Sequence, residues 1–374
     1  MSNIKFPMKT KAAVLNGFNQ KFEVREIEIE GLKQGECLVK VAAAGICHSD
    51  LHVIKGDWAV PGVNTLPQVL GHEGSGIIVK NGPGVTKVQE GDHCVLIFKS
   101  NCGLCDYCQT GKPMLCNRYN VRPPGTLLDG TPRFNIDGKP CYHMAGVACF
   151  SEYTVMSEEQ LMPISKDIPL DRAALVGCSV MTGIGAAVNT AKVEPGSTVC
   201  VVGAGGVGLN ILQGAKLCSA SMIIAVDIVP LKLQLAKQFG ATHVIDGSKV
   251  TDVVAEVKKL TGGRGVDFSF DAIGNKTVME QIFAMIKPGG TAVEVGISPI
   301  NDTSAISSFA LAMQEKTLKG SFYGSARPRV DMARILDLYQ KKQVKIDELV
   351  SERIPLEDIN RGFDLLRAGA VART

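Results

Sequence analysis

Polar and apolar residues alternate from Phe22 to Ile29, the period-two signature of a strand with one wet and one buried face. Short β-type runs lie on either side, at Thr10–Leu15 and Glu36–Gly45. Residues 68–98 continue in the same style, broken by Gly82-Pro83-Gly84 and Gly91-Asp92. Residues 99–140 are polar and rich in Cys, Gly and Pro, which predicts a long irregular lobe. A loop of that length inside a compact domain is usually held by something.

The rhythm changes near residue 179. Val199–Val202, Met222–Asp227, Thr242–Asp246, Val266–Asp271, Thr291–Val295 and Leu318–Phe322 read as short buried strands. Between them, Gly206–Leu217, Pro230–Phe239, Val250–Leu260 and Lys276–Ile286 read as helices. Strands that are apolar throughout, alternating with helices, predict a parallel doubly wound sheet. The chain is therefore expected to hold a β-rich domain over 1–179 and an α/β nucleotide domain over 180–323, with 324–374 returning to the first. No internal repeat or low-complexity segment interrupts it.

Composition narrows the function classes. A formal net charge of +3 over 374 residues, with no basic run, argues against nucleic acid as a partner. Glycine and polar residues interrupt every apolar stretch, so no membrane span is expected. The N-terminus lacks the apolar core of a secretory leader. Twelve cysteines in such a chain point to thiolate ligands and to the cytoplasm.

Two motifs and one scattered set carry chemistry. Gly203-Ala204-Gly205-Gly206-Val207-Gly208 follows a predicted strand and opens a predicted helix, the context a dinucleotide pyrophosphate needs. Asp227 closes the next strand, where a carboxylate accepts the adenosine ribose hydroxyls and repels a 2′-phosphate, so NAD is favoured over NADP. Lys232, one turn further on, is within reach of the same ribose. Cys102, Cys105, Cys108 and Cys116 have the spacing of a closed four-thiolate zinc site of the structural kind, near 99–117, with two disulfides as the alternative. Cys47, His72 and Cys178 have no local spacing to recommend them. Together they form a Cys2His set that leaves zinc a fourth position.

The chain resembles the zinc-dependent medium-chain alcohol dehydrogenases of the long-loop type. Gly71-His72-Glu73-x2-Gly76-x5-Gly82-x2-Val85, the four-cysteine lobe, the glycine turn and Asp227 carry the resemblance over essentially the whole length. It implies a GroES-like catalytic domain beside a Rossmann domain, NAD, two zinc ions per subunit and a homodimer joined through the edges of the nucleotide sheets. It implies catalytic zinc on Cys47, His72 and Cys178, with Asp50 orienting the histidine and Glu73 behind the metal. Ser49 would take the proton of a zinc-bound alcohol and pass it through the cofactor ribose to His52, while hydride goes to the nicotinamide. His48 and Arg373 would meet the cofactor pyrophosphate. Trp58, Phe98 and Ile297 would line the substrate pocket.

Two rival readings remain at this level. One family subgroup oxidises the glutathione adduct of formaldehyde. Asp57 matches an acidic residue of that subgroup, but Asn120 stands where it has an arginine, with Arg118 and Arg122 nearby. The insert Trp58–Thr65 is unusual and suits a reshaped pocket. The other rival is a non-catalytic NAD-binding scaffold with structural zinc alone.

Overall fold

A computed structural model describes residues 4–59, 63 and 65–374, with the side chain of Asn120 also outside the described set. Of the insert Trp58–Thr65, residues 60–62 and 64 therefore lie outside it. The chain divides into two compact units, residues 1–178 with 327–374 and residues 179–326.

Among the described residues the first unit holds ten strands. They are β1 (Met8–Leu15), β2 (Glu23–Ile29), β3 (Glu36–Gly45), β4 (Gln68–Val69), β5 (Glu73–Asn81), β6 (His93–Leu96), β7 (Phe134–Ile136), β8 (Lys139–His143), β9 (Tyr153–Ser157) and β10 (Leu161–Ile164). β1, β2, β7, β8 and β4 close a barrel, and the rest form a sheet in the order β10-β6-β5-β3-β9. The barrel core holds Phe22, Phe150 and Phe363 in mutual ring contact, with centroids 5.3 to 6.1 Å apart. Phe150 meets the other two rings edge-on, and such aromatic pairs add about 0.5–1.5 kcal/mol each beyond their buried area. Phe363 comes from the C-terminal segment, so that segment completes the core.

Residues 134–143 depart from the irregular lobe expected for 99–140. They form the β7–β8 hairpin, with Asp137 (φ 51°) and Gly138 (φ 80°) at its turn. Asp-Gly is a strong hairpin signal, but the flanking strands are too short to show an alternation. The rest of the lobe consists of short helical turns, Asp106–Gln109, Pro113–Leu115 and Asn117–Asn120. The helix Leu170–Ala191 also differs from expectation, being long and apolar enough to cross a membrane. Yet 89% of its most apolar window is buried in the protein, as befits a core helix.

The second unit carries β11 (Thr198–Val202), β12 (Met222–Asp227), β13 (His243–Asp246), β14 (Val266–Asp271), β15 (Ile286–Glu294) and β16 (Thr317–Gly320). All pair in parallel, in the order β13-β12-β11-β14-β15-β16. This is the doubly wound Rossmann order. The predicted elements are present, with shifts at their ends. β15 begins five residues earlier than the expected Thr291, and one predicted helix starts at Val253 rather than Val250, capped by the Asp252 side chain on the Ala255 N–H.

Candidate active site

The helix α1 (His48–Lys55) begins one residue after Cys47. The register of the five-stranded sheet explains what Cys47 meets. β3 and β5 run antiparallel with Gly45 opposite Glu73, so the exit of β3 and the entry of β5 lie side by side. Cys47 follows one and His72 precedes the other. Gly71 makes the approach possible. Its φ of 90° is in the left-handed region, and a Cβ there would run into Phe150 and the Cys149 sulfur.

Cys178 reaches the same point from a π-helical stretch, Val176–Val180, within the helix that begins at Leu170. Its Sγ is 3.4 Å from His72 Nε2. The ligand atoms of Cys47, His72 and Cys178 all lie within 4.8 Å of one another, and all three residues are buried. A tetrahedron with Zn–S near 2.3 Å and Zn–N near 2.0 Å has edges of roughly 3.4–3.8 Å, so two thiols and one imidazole at these separations fit zinc and leave one corner open.

Asp50 is fully buried and holds the set together. Its Oδ2 accepts the Cys47 N–H at 3.1 Å, and its Oδ1 accepts the Gly71 N–H at 3.1 Å and sits 3.2 Å from His72 Nδ1. That leaves Nε2 pointing at the thiols. Glu73 is also fully buried, and Arg373 Nε lies 3.3 Å from its Oε1, close enough for an ion pair but without hydrogen-bond alignment. The Arg373 guanidinium also donates to Cys47 Sγ at 3.9 Å.

Protonation in this cluster is shared. A hydrogen bond from Cys178 holds the Cys47 thiol well below its usual range despite burial, with Arg373 and His72 assisting. The same bond, with burial, pushes Cys178 well up. Burial works against the charged form of His72, but Asp50 and Cys47 outweigh it and raise the imidazole. Thiols so arranged give up their protons to a divalent cation.

The second cysteine group is Cys102, Cys105, Cys108 and Cys116, again within 4.8 Å of one another. Sulfur–sulfur separations of 3.5, 3.8 and 4.0 Å match a tetrahedron, not a disulfide. Backbone N–H groups of Leu104 and Cys105 point at Cys102 Sγ, and those of Cys108 and Asn117 bring the Cys105 thiol down to about 6. All twelve cysteines are free thiols.

In the second unit the glycine turn joins β11 to the helix α2 (Gly206–Leu217). Gly203 has φ 94°, and a Cβ on Gly208 would collide with the Gly203 carbonyl. A Cβ on Gly205 would meet nothing, so the turn leaves open space at a helix N-terminus, the form of a pyrophosphate cradle. Asp227 pins this turn. Its Oδ2 accepts the Ala204 N–H at 2.7 Å, and its Oδ1 those of Ile228 and Val229.

Comparison with known proteins agrees with this geometry. The model for the alcohol dehydrogenase GroES-like domain matches residues 33–166, and that for zinc-binding dehydrogenases matches 206–341. An NDMA-dependent alcohol dehydrogenase of Amycolatopsis methanolica is 42% identical over 367 residues, 97% of each chain. The chain belongs to the zinc-binding alcohol dehydrogenase family. An S-(hydroxymethyl)glutathione dehydrogenase of Paracoccus denitrificans is 40% identical, covering 98% of this chain and 99% of that one. The crystal structure of benzyl alcohol dehydrogenase from Acinetobacter calcoaceticus superposes with a TM-score of 0.90 at 36% identity, over 98% of both chains. As a family member the protein is an oxidoreductase that uses zinc and NAD to oxidise alcohols.

Ser49 and His52 lie three positions apart on α1, hence on one face, while His48 is exposed at its first position. Phe98 meets His72 edge-on, with ring centroids 5.4 Å apart. Trp58 stacks on His52 at 4.8 Å. Val207 and Lys232 lie in the first turns of their helices, and Ile297 is exposed after β15, all in the second unit.

Two contacts were not foreseen from sequence. Arg373, assigned by resemblance to the pyrophosphate, lies against Glu73 and Cys47. Asp57, matched to the glutathione-specific subgroup, faces His52 at 2.6 Å. A third feature had no sequence signal at all. Asp271, fully buried, and Glu294, half-buried, end adjacent strands as a carboxyl pair, and burial with the Asp271 charge pushes Glu294 up to about 8.

Proposed function

We propose that the enzyme oxidises small primary or secondary alcohols to aldehydes or ketones, and runs the reverse, with Cys47, His72 and Cys178 as ligands of catalytic zinc. Three buried donor atoms within 4.8 Å, with a fourth corner left open, carry this reading. The metal, when bound, supplies the Lewis acidity that makes an alcohol hydroxyl acidic near neutral pH.

The protein's own groups do the rest. Asp50 fixes His72 with Nε2 toward the metal site. Glu73 and Arg373 set the charge behind it. Phe98 covers His72 and bounds the substrate pocket with Trp58 and Ile297. Ser49 and His52 move the hydroxyl proton toward water. Gly203, Gly205, Gly206, Val207 and Gly208 receive the NAD pyrophosphate, assisted by His48 and Arg373, and Asp227 with Lys232 holds the adenosine ribose. Residues 1–179 and 324–374 form the catalytic domain and 180–323 the NAD domain. A second zinc on Cys102, Cys105, Cys108 and Cys116 holds the lobe.

An unmodified alcohol is favoured over a glutathione adduct because two of the groups that would recognise the adduct are engaged. Asp57 is bound to His52, and Arg118 pairs with Glu159 at 2.9 Å. A homodimer is part of this proposal, supported by Phe309 and Met313, 73% and 69% exposed on a short helix with no buried residue. Cytoplasmic location is proposed from the twelve free thiols.

The test is NADH formation from benzyl, allylic and linear alcohols, with and without glutathione and formaldehyde, beside zinc analysis. Two zinc ions per chain and turnover of a free alcohol are expected, with Cys47→Ala inactive. Turnover only with glutathione present would favour the adduct. One zinc per chain with no NADH from any substrate would favour the scaffold.

A further inference from the structure

α1 ends at Gly56, whose φ of 77° turns the chain back over the last helical turn. This brings Asp57 to His52 twice. The Asp57 N–H donates to the His52 carbonyl at 3.0 Å, and the carboxylate Oδ2 lies 2.6 Å from imidazole Nδ1. The next residue, Trp58, lays its ring on the imidazole at 4.8 Å and 21°. Asn19 braces the same turn, donating its N–H to the Ile54 carbonyl at 2.6 Å. The His52 and Asp57 side chains are only 18% and 22% exposed.

A carboxylate facing Nδ1 selects one form of the ring. The Nδ1 proton is taken up by the hydrogen bond, so in the neutral imidazole Nε2 is the acceptor. The stacked indole and the carboxylate between them fix both the plane of the ring and its rotation within that plane. Partly exposed ion pairs add little to stability, so the value of this contact lies in orientation.

We propose that Asp57 is a positioning residue for His52, holding the imidazole with Nε2 ready to accept the proton that leaves the alcohol. This rests on the reading of Ser49 and His52 as the proton path. The alcohol O–H bond breaks, and its proton arrives through Ser49 to form Nε2–H. The imidazolium then loses it to water, and Asp57 stays a carboxylate throughout. NAD, when bound, would take the hydride separately, so charge and electrons balance. Asp57 thus acts on the rate of proton release, not on alcohol or NAD binding.

The experiment uses the zinc-loaded, full-length enzyme and the variants Asp57→Ala, Asp57→Asn, His52→Gln and the double variant Asp57→Ala/His52→Gln. Transient NADH formation is followed at mildly acidic pH in dilute and in concentrated imidazole buffer. Histidine ¹⁵N shifts report the tautomer. Asp57→Ala should slow NADH formation by roughly 3- to 30-fold, part of the range that general acid–base groups supply. KM for NAD and for alcohol should hold, and concentrated buffer should restore the rate. In Asp57→Asn the amide oxygen can still accept from Nδ1, so it should keep the tautomer and most of the rate. In the His52→Gln background the alanine change should have no further effect.

A wild-type rate in Asp57→Ala, with His52→Gln slow, would overturn the role of Asp57 and leave the proton path standing. His52→Gln at full speed in every buffer would remove the proton path itself. Should Asp57→Ala lose zinc or unfold, Asp57→Asn decides: a scrambled tautomer at full rate refutes the proposal.

Discussion

Replacing Asp50 by Asn tests the buried frame of the metal site with almost no change in shape. The carboxylate faces three donors, the Cys47 and Gly71 N–H groups and His72 Nδ1. An amide has one oxygen and one NH2. If the oxygen faces Gly71 and His72, the NH2 confronts the Cys47 N–H; turned over, it confronts the other two. At least one buried donor is left without a partner, which costs about 1–3 kcal/mol, and the charge that favours His72 Nδ1–H is lost as well. Most of that cost falls on the bound state, because the free site can relax. The affinity of the Cys47–His72–Cys178 site for zinc should therefore fall about 10- to 100-fold, the range seen when a group behind a metal-binding histidine is altered. Zinc release would be followed by competition with a chromogenic chelator. The four-cysteine lobe is an internal control, since none of its contacts involves Asp50, and its zinc should leave at the wild-type rate. Two zincs leaving Asp50→Asn with wild-type kinetics would refute the reasoning.

Other changes have expected outcomes of their own. Asp227→Gly should raise the kcat/KM ratio of NADP to NAD, and because three N–H bonds vanish with the carboxylate, Tm should fall by several degrees. Cys105→Ser should remove one zinc per chain by metal analysis and lower Tm, while the first site keeps its metal. Glu294 titrates near 8 in the folded protein, well above an ordinary carboxyl, so the folded state holds the extra proton. Stability should then be highest in mild acid and fall as pH rises toward 8, beyond which the loss is complete. Glu294→Gln should abolish that slope in thermal melts and stabilise by about 1–2 kcal/mol above pH 8, allowing for partial screening by water.

The local motifs were legible because their parts are close in the chain. Four thiols within fifteen residues can close on one ion whatever surrounds them, and the glycine turn needs only a strand before it and a helix after it. The nucleotide sheet was legible because parallel strands are apolar on both faces and stand out between helices. The β7–β8 hairpin was not, since strands of three and five residues carry no periodicity. The contacts of Asp57 and Arg373 were not legible for a related reason. Resemblance supplied a role for each, but a side chain's partner depends on where a turn or a terminus brings it.

Sequence alone determined which residues are able to bind metal and nucleotide, and the fold class around them. Tertiary structure decided how two of the twelve thiols, Cys47 and Cys178, come together in the buried site. Cys47, His72 and Cys178 are separated by 25 and 106 positions. They meet because Gly45 pairs with Glu73 across β3 and β5, and because a π-helical turn puts Cys178 against that edge. Strand register and helix packing are properties of the folded chain as a whole. A local sequence window holds neither, so the site they create has no signature of its own in any single stretch.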